Sequence, residues 1–151
     1  MLAEGVRAPD FQLGQWSLAA SLKKGPVLLA FYKISCPTCQ FAFPFLQRLA
    51  DGAGPGSPQV IAISQDDARG TAQFGERFGI SLPVLQDEVP GYRVSNLYAI
   101  RNVPTLYLIE RDGRISMAVA GFSKAHFETL AARFGTALFR GGEQVPALRP
   151  G

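Results

Sequence analysis

Cys36 and Cys39 are the only cysteines in this chain of 151 residues, and Pro37 and Thr38 separate them. They follow an apolar run, Pro26 to Tyr32, and open an apolar stretch with helical spacing. A strand that hands the first sulfur to a helix N-terminus sets it against unpaired backbone N–H groups and the positive end of the helix dipole. Both favour thiolate over thiol. The second sulfur, one turn on, is within reach to close a disulfide. The chemistry that fits is thiol–disulfide exchange, with Cys36 attacking a substrate disulfide as thiolate and Cys39, shielded one turn inside, resolving the mixed disulfide.

The pair admits other uses. Free cysteine often packs in a core as a small hydrophobe. Zinc wants four ligands, and there is no third cysteine and a single histidine, His126, on another predicted helix. Carboxylates would have to complete such a set. No metal and no organic cofactor is therefore expected.

The sulfurs need a scaffold, and the chain supplies alternating strand and helix patterns. Ala8 to Leu13 alternates apolar with polar and predicts a short strand with Pro9 at its entry, turned at Gly14. Ser17 to Lys24 reads as one or two helical turns closed by Gly25, and Pro26 to Tyr32 as a central strand covered on both faces. Pro37 falls in the first helical turn, where its missing N–H is tolerated. Phe41, Phe45, Leu46 and Leu49 then recur to about Ala50, with a kink expected at Pro44. Core packing is the default for Phe41, Phe43 and Phe45, although successive odd positions spread around a helix and leave one of them for a partner groove.

Asp51 to Pro58 is Gly- and Pro-rich and reads as a loop. A buried strand at Val60–Ile63 follows, then a helix over Thr71–Phe78 ended by Gly79, with Gln65, Asp66 and Asp67 as its capping segment. Leu82–Leu85 is a short extended piece, and Gly91–Ile100 looks helical. Val103–Glu110 and Ile115–Val119 form a hairpin turned at Asp112-Gly113. Ser123 caps a last helix, Lys124–Phe134, halted by Gly135. His126 on that helix reads as a solvated or capping histidine. The connection lengths imply an α/β fold in which a parallel sheet with crossover helices is finished by an antiparallel hairpin. One domain spans residues 1–151, with its core over about 8–134 and a Gly- and Pro-rich tail, 136–151, expected to fray.

Composition narrows the function. With 47% hydrophobic and 18% charged residues the chain can bury a full core without disulfide staples. The net charge of +3 is spread over single Lys and Arg residues, which argues against nucleic acid as a partner. No apolar stretch reaches the length of a membrane span, and Met1–Asp10 has neither a basic start nor an apolar core of a leader. A cytoplasmic location is expected, or a periplasmic one if a leader or anchor has been removed.

The chain resembles the thioredoxin-like superfamily, and within it the TlpA-like disulfide reductase and redoxin (AhpC/TSA-related) branch. The resemblance is carried by Ala8-Pro9-Asp10-Phe11, by Val27 to Tyr32 running into Cys36-Pro37-Thr38-Cys39, and by Val60 to Ser64. Phe78 to Leu85 and Tyr98 to Thr105, continued by Leu108 to Gly113, complete it. It implies a central mixed sheet with helices on both faces, N-terminal short strands, and an inserted helix–strand segment between about 64 and 100. It also implies that Pro104 is cis and faces the dithiol, that Val103 pairs through its backbone with a substrate chain, and that Pro37 and Thr38 belong to the substrate-contacting surface. A trans proline that merely starts a strand is the alternative for Pro104. The implied partners are a protein substrate bearing a disulfide or dithiol and an upstream electron donor; oligomeric state is not legible.

Departures from the family pattern matter. Ser35 replaces the bulky residue before the nucleophile. Ala30 stands where thioredoxins keep a buried acid, and Ala42 where some TlpA-like reductases keep a Glu, so neither carboxylate is available to carry the proton of Cys39. Lys33 adds positive potential near Cys36 or simply stands solvated at a strand end. A peroxiredoxin would need Thr or Ser three residues before its reactive cysteine and Pro seven before; upstream of Cys36 these are Lys33 and Leu29. A thiol peroxidase acting through a sulfenic acid on Cys36, and a redox-sensing binding module of the same fold, are the competing readings.

Overall fold

The computed structural model describes residues 1–87 and 90–151. The chain opens with a small hairpin, β1 (Gln12–Leu13) against β2 (Trp16–Ser17). The alternation from Ala8 to Leu13 thus yields a ladder only at its end. Its first half bridges elsewhere, Arg7 pairing with Arg114 and the Ala8 N–H donating to the Gly113 carbonyl at 2.8 Å. Pro9, directly after these contacts, offers no donor to continue a ladder. Ser17 caps α1 (Leu18–Leu22) through its hydroxyl.

Six consecutive apolar residues then make β3 (Val27–Tyr32), every one of them buried. The dithiol helix α2 (Pro37–Asp51) runs through Pro44 to Gly52. β4 (Gln59–Ser64) lies parallel to β3, and α3 (Ala68–Phe78) returns the chain to β5 (Val84–Gln86), parallel to β4. Asp67 caps α3 by accepting the Gly70 N–H at 2.8 Å. The short α4 (Arg93–Leu97) is held by the buried Asp87 carboxylate, which accepts the Val94 and Ser95 N–H groups. β6 (Thr105–Ile109) pairs antiparallel with β3, and β7 (Ile115–Ala120) antiparallel with β6 across the Asp112-Gly113 turn, where Gly113 takes a positive φ. β8 (Phe122–Ser123) leads into α5 (Lys124–Phe134).

The sheet order is β5-β4-β3-β6-β7, mixed in direction, with β3 at the centre. Alternation along β3 sorts the core into two layers. Leu28, Ala30 and Tyr32 face Phe43, Leu46 and Leu49 of α2, with Phe74 of α3 and Phe127 and Leu130 of α5 in the same layer. Val27, Leu29 and Phe31 face the other way, onto Phe11, Leu18, Val94, Tyr98 and Tyr107. This is the thioredoxin-like arrangement that the resemblance implied. Burying both faces of β3 places its C-terminal end, and so the start of α2, at one fixed point on the sheet edge.

The tail departs from expectation. Residues 136–151 do not fray: Leu138 is buried, and Phe139 packs 5.1 Å from the Phe45 ring centre. Arg48 grips Glu143 through both guanidinium nitrogens at 2.8 and 2.7 Å and holds that carboxyl down at about 2. The tail ends in β9 (Leu148–Arg149), antiparallel to β8. Gly and Pro deny this segment regular helix, but they do not deny its Leu, Phe and Val side chains a seat beside α2 and α5.

Candidate active site: a dithiol beside a proline loop

The end of β3 and the start of α2 set the first sulfur. Cys36 is the N-cap of α2, in extended backbone, and its Sγ accepts the Cys39 N–H at 3.2 Å, so one of the helix's orphan donors points at sulfur. Pro37 follows in the first turn. The preceding loop is pinned on both sides of Ile34: its N–H donates to Asp66 Oδ2 at 2.8 Å, and its carbonyl accepts from Gln40 Nε2 at 2.9 Å. The Lys33 carbonyl takes the Cys36 N–H at 3.2 Å. Cys36 is half-buried, Cys39 is fully enclosed, and both are free thiols.

Across from Cys36 stands the loop before β6. The Val103–Pro104 peptide bond is cis and Pro104 is buried. The Cys36 Sγ lies 3.3 Å from the Val103 carbonyl oxygen, to which the thiol donates. Thr105 fastens this loop by donating its hydroxyl to the Asn102 carbonyl at 2.7 Å. The two sulfurs and residues 103–104, far apart in sequence, therefore form one cluster at the end of the central strands.

Residues 4–118 match the model of the AhpC/TSA family. The chain belongs to this family. It is 25% identical over 139 residues to a thiol-disulfide oxidoreductase ResA from Geobacillus thermodenitrificans, covering 85% of this chain and 79% of that one. Among solved structures it is similar to a candidate thiol:disulfide interchange protein DsbE from Chlorobium tepidum, with a TM-score of 0.74 and 29% identity over 88% of this chain and 96% of that one. A candidate protein disulfide isomerase from Bacteroides thetaiotaomicron shares the fold at a TM-score of 0.76 and 23% identity, with 93% of each chain covered.

In this AhpC/TSA-family protein the two thiols live in different surroundings. Burial, and next the hydrogen bond to the Cys36 sulfur, push the Cys39 thiol well above the usual thiol range, and the charge of Asp66 adds to the effect. Burial likewise drives the Tyr32 hydroxyl beside it up to about 12. Both groups are neutral at ordinary pH. Lys33 points its ammonium over the Tyr92 ring at 5.7 Å. His126 bonds to Ser123 at 2.7 Å through Nδ1 at the start of α5, as a capping histidine does. Among the described residues no three His, Cys, Asp or Glu side chains gather in a way that would hold a metal ion.

Of the predicted site residues, Cys36, Pro37, Thr38, Cys39, Val103 and Pro104 all come together, but Thr38 is covered by the chain's own C-terminal segment. It is buried, and its hydroxyl donates to the Pro150 carbonyl at 2.6 Å. Two participants escaped the sequence reading. Asp66 was grouped with Asp67 as a cap of α3; Asp67 alone does that, which frees Asp66 to order the loop before Cys36. A pair of adjacent acids at one helix start was the available signal, since one N-cap needs one carboxylate. The other is the C-terminal segment, whose composition hid it.

Proposed function

We propose that this thiol–disulfide oxidoreductase works through Cys36 as the attacking thiolate and Cys39 as the resolving thiol, with the backbone at Val103 and Pro104 receiving a segment of a protein substrate. The Cys36 sulfur attacks one sulfur of a substrate disulfide, forming Cys36–S–S–substrate and releasing the other substrate sulfur as a thiol after protonation. Cys39 then gives up its proton and attacks Cys36 Sγ, closing the enzyme disulfide and expelling the second substrate thiol. Two electrons pass from dithiol to substrate, and an upstream dithiol donor must return them. The observation that carries the reading is the position of Cys36 Sγ, held between the Cys39 N–H of α2 and the Val103 carbonyl. Lys33 and Leu29, standing where a peroxidase needs a hydroxyl and a proline, count against the peroxide reading.

Direction follows compartment. In the cytoplasm, the location expected from the sequence, the glutathione poise keeps the pair as dithiol and favours reduction of substrates; in an oxidising compartment the pair rests as disulfide until a donor arrives. Trapping the thiols in fractionated host cells reads both location and direction.

Insulin reduction tests the chemistry. Wild type should reduce insulin disulfides, Cys36→Ser should be inactive, and Cys39→Ser should accumulate a mixed disulfide on Cys36 visible by mass spectrometry. Equal inactivity of wild type and Cys36→Ser, with no mixed disulfide in Cys39→Ser, would sink the reading.

A further inference from the structure

Residues 148–151 lie across the face on which a substrate segment would dock. After pairing with β8 through Leu148 and Arg149, the chain continues to the dithiol. The Pro150 carbonyl receives the hydroxyl of Thr38, one of the two residues between the cysteines. Gly151 passes Val103 so closely that a Cβ built on it would overlap the Val103 carbonyl oxygen, the same oxygen that faces Cys36 Sγ. The Arg149 guanidinium sits 5.0 Å from the centre of the Phe41 ring. Gly121, at φ +75°, forms the floor: a Cβ there would stand 2.7 Å from the Arg149 carbonyl oxygen and push the segment away.

Each contact is one that a foreign peptide in extended form can make. The Thr38 hydroxyl donates to a backbone carbonyl, Val103 admits only bare backbone at close range, Gly121 leaves room for a second backbone carbonyl, and the face of Phe41 takes a cation. Phe41 is the half-buried member of the three phenylalanines on α2; Phe43 and Phe45 are in the core. We propose that Thr38, Phe41, Val103 and Gly121 form a docking groove for an extended peptide with a cationic residue two positions before a glycine-sized one, and that residues 148–151 occupy it as a resident mimic that a substrate must displace. Only the last clause rests on the exchange reaction proposed above. The occupancy stands on contacts alone.

The seat is light enough to be vacated. Leu148 is 72% exposed, the β8–β9 ladder is two residues long, and the firm anchors of the tail, Leu138 and the Arg48–Glu143 pair, lie upstream. Release of 148–151 therefore need not disturb the domain.

The test compares the full chain with a variant ending at Ala147. Two rates are measured: alkylation of Cys36 by iodoacetamide, and kcat/KM for insulin reduction. Both should rise by about tenfold, the factor by which a groove open one time in ten masks its ligand. The peptide Ala-Leu-Arg-Pro-Gly added to the shortened variant should slow alkylation again, and its Arg→Glu version should not. A full-length Arg149→Glu, Pro150→Ser variant should move both rates in the same direction and carries the test if the shortened variant does not fold. Unchanged alkylation and kcat/KM in the folded variants, with insulin reduction intact, overturns the inference and leaves the exchange reaction standing. Faster alkylation reversed by the peptide, with no insulin reduction in any form, upholds the groove and removes the exchange reaction.

Discussion

Cys39 is the residue at which packing and chemistry meet. Its thiol is enclosed, and burial is the first cause of its raised pKa. In the unfolded chain the same thiol ionises near its ordinary value, about 8.5. Because the folded-state value is the higher one, the fold binds this proton more tightly than the unfolded chain does; the stabilisation is complete below the unfolded value and is lost as pH rises above it. The reduced protein should therefore lose stability between about pH 8.5 and 10, with a slope from this one group of at most about 1.4 kcal/mol per pH unit. Tyr32 adds to the decline only above about 10, where an ordinary tyrosine begins to ionise. Urea titrations of reduced wild type and Cys39→Ala across this window measure it. A wild-type slope no steeper than that of Cys39→Ala would mean that burial does not hold the proton. The pair Cys36 and Cys39 could be read from the sequence because type and spacing alone define a dithiol. Asp66 could not, because its partner, the Ile34 N–H, is brought to it only when β3 and β4 pair side by side.

At the scale of elements, α2 decides where the sulfurs stand, and it survives a proline in its interior because one face is so fully buried. Phe43, Leu46 and Leu49 have no solvent exposure, and the Phe43 ring lies 4.2 Å from Tyr32 and 5.8 Å from Phe74 by ring centres. Phe43→Ala should lower the unfolding free energy by about 3–5 kcal/mol, seen as a lower denaturation midpoint with little change in the denaturant slope. A loss under about 1 kcal/mol, typical of a surface change, would mean that the ring is not packed between sheet and α3. The helical spacing showed this element in the sequence, and the apolar run showed β3, because period and continuity are local properties. Which phenylalanine faces the sheet and which the solvent was hidden, since Phe41, Phe43 and Phe45 are chemically alike and only the position of the sheet tells them apart. The same limit explains Ala8–Leu13: alternation marks a chain able to pair but is silent on whether a partner strand arrives.

For the whole molecule, the strand connectivity followed from connection lengths and the two covered faces from the unbroken apolar run of β3 and the family resemblance, whereas the tail did not follow from anything local. Gly and Pro content speaks to regular structure, while the seat of Leu138 and Phe139 depends on a surface left open between α2 and α5 once both are packed. That seat ties the tail to the α2 side of the core through Leu138, Phe139 and Val145, while its own short strand lies outside the five-stranded sheet. Leu138→Ala deletes one of its main anchors, and a fully buried leucine is worth about 2–5 kcal/mol. A segment held by few such groups then detaches before the sheet opens. Hydrogen exchange should show this directly. The Lys124 N–H, which donates to the Ala147 carbonyl, and the Arg140 N–H, which donates to Glu143, should exchange at least about tenfold faster in Leu138→Ala, each tenfold being about 1.4 kcal/mol of local opening. Amides of β3 should keep their protection. Equal acceleration of tail and β3 amides would mean that the anchored part of the tail unfolds only with the domain, which leaves the last four residues, held by the two-residue β8–β9 ladder, as the sole part able to leave the groove beside Cys36 separately.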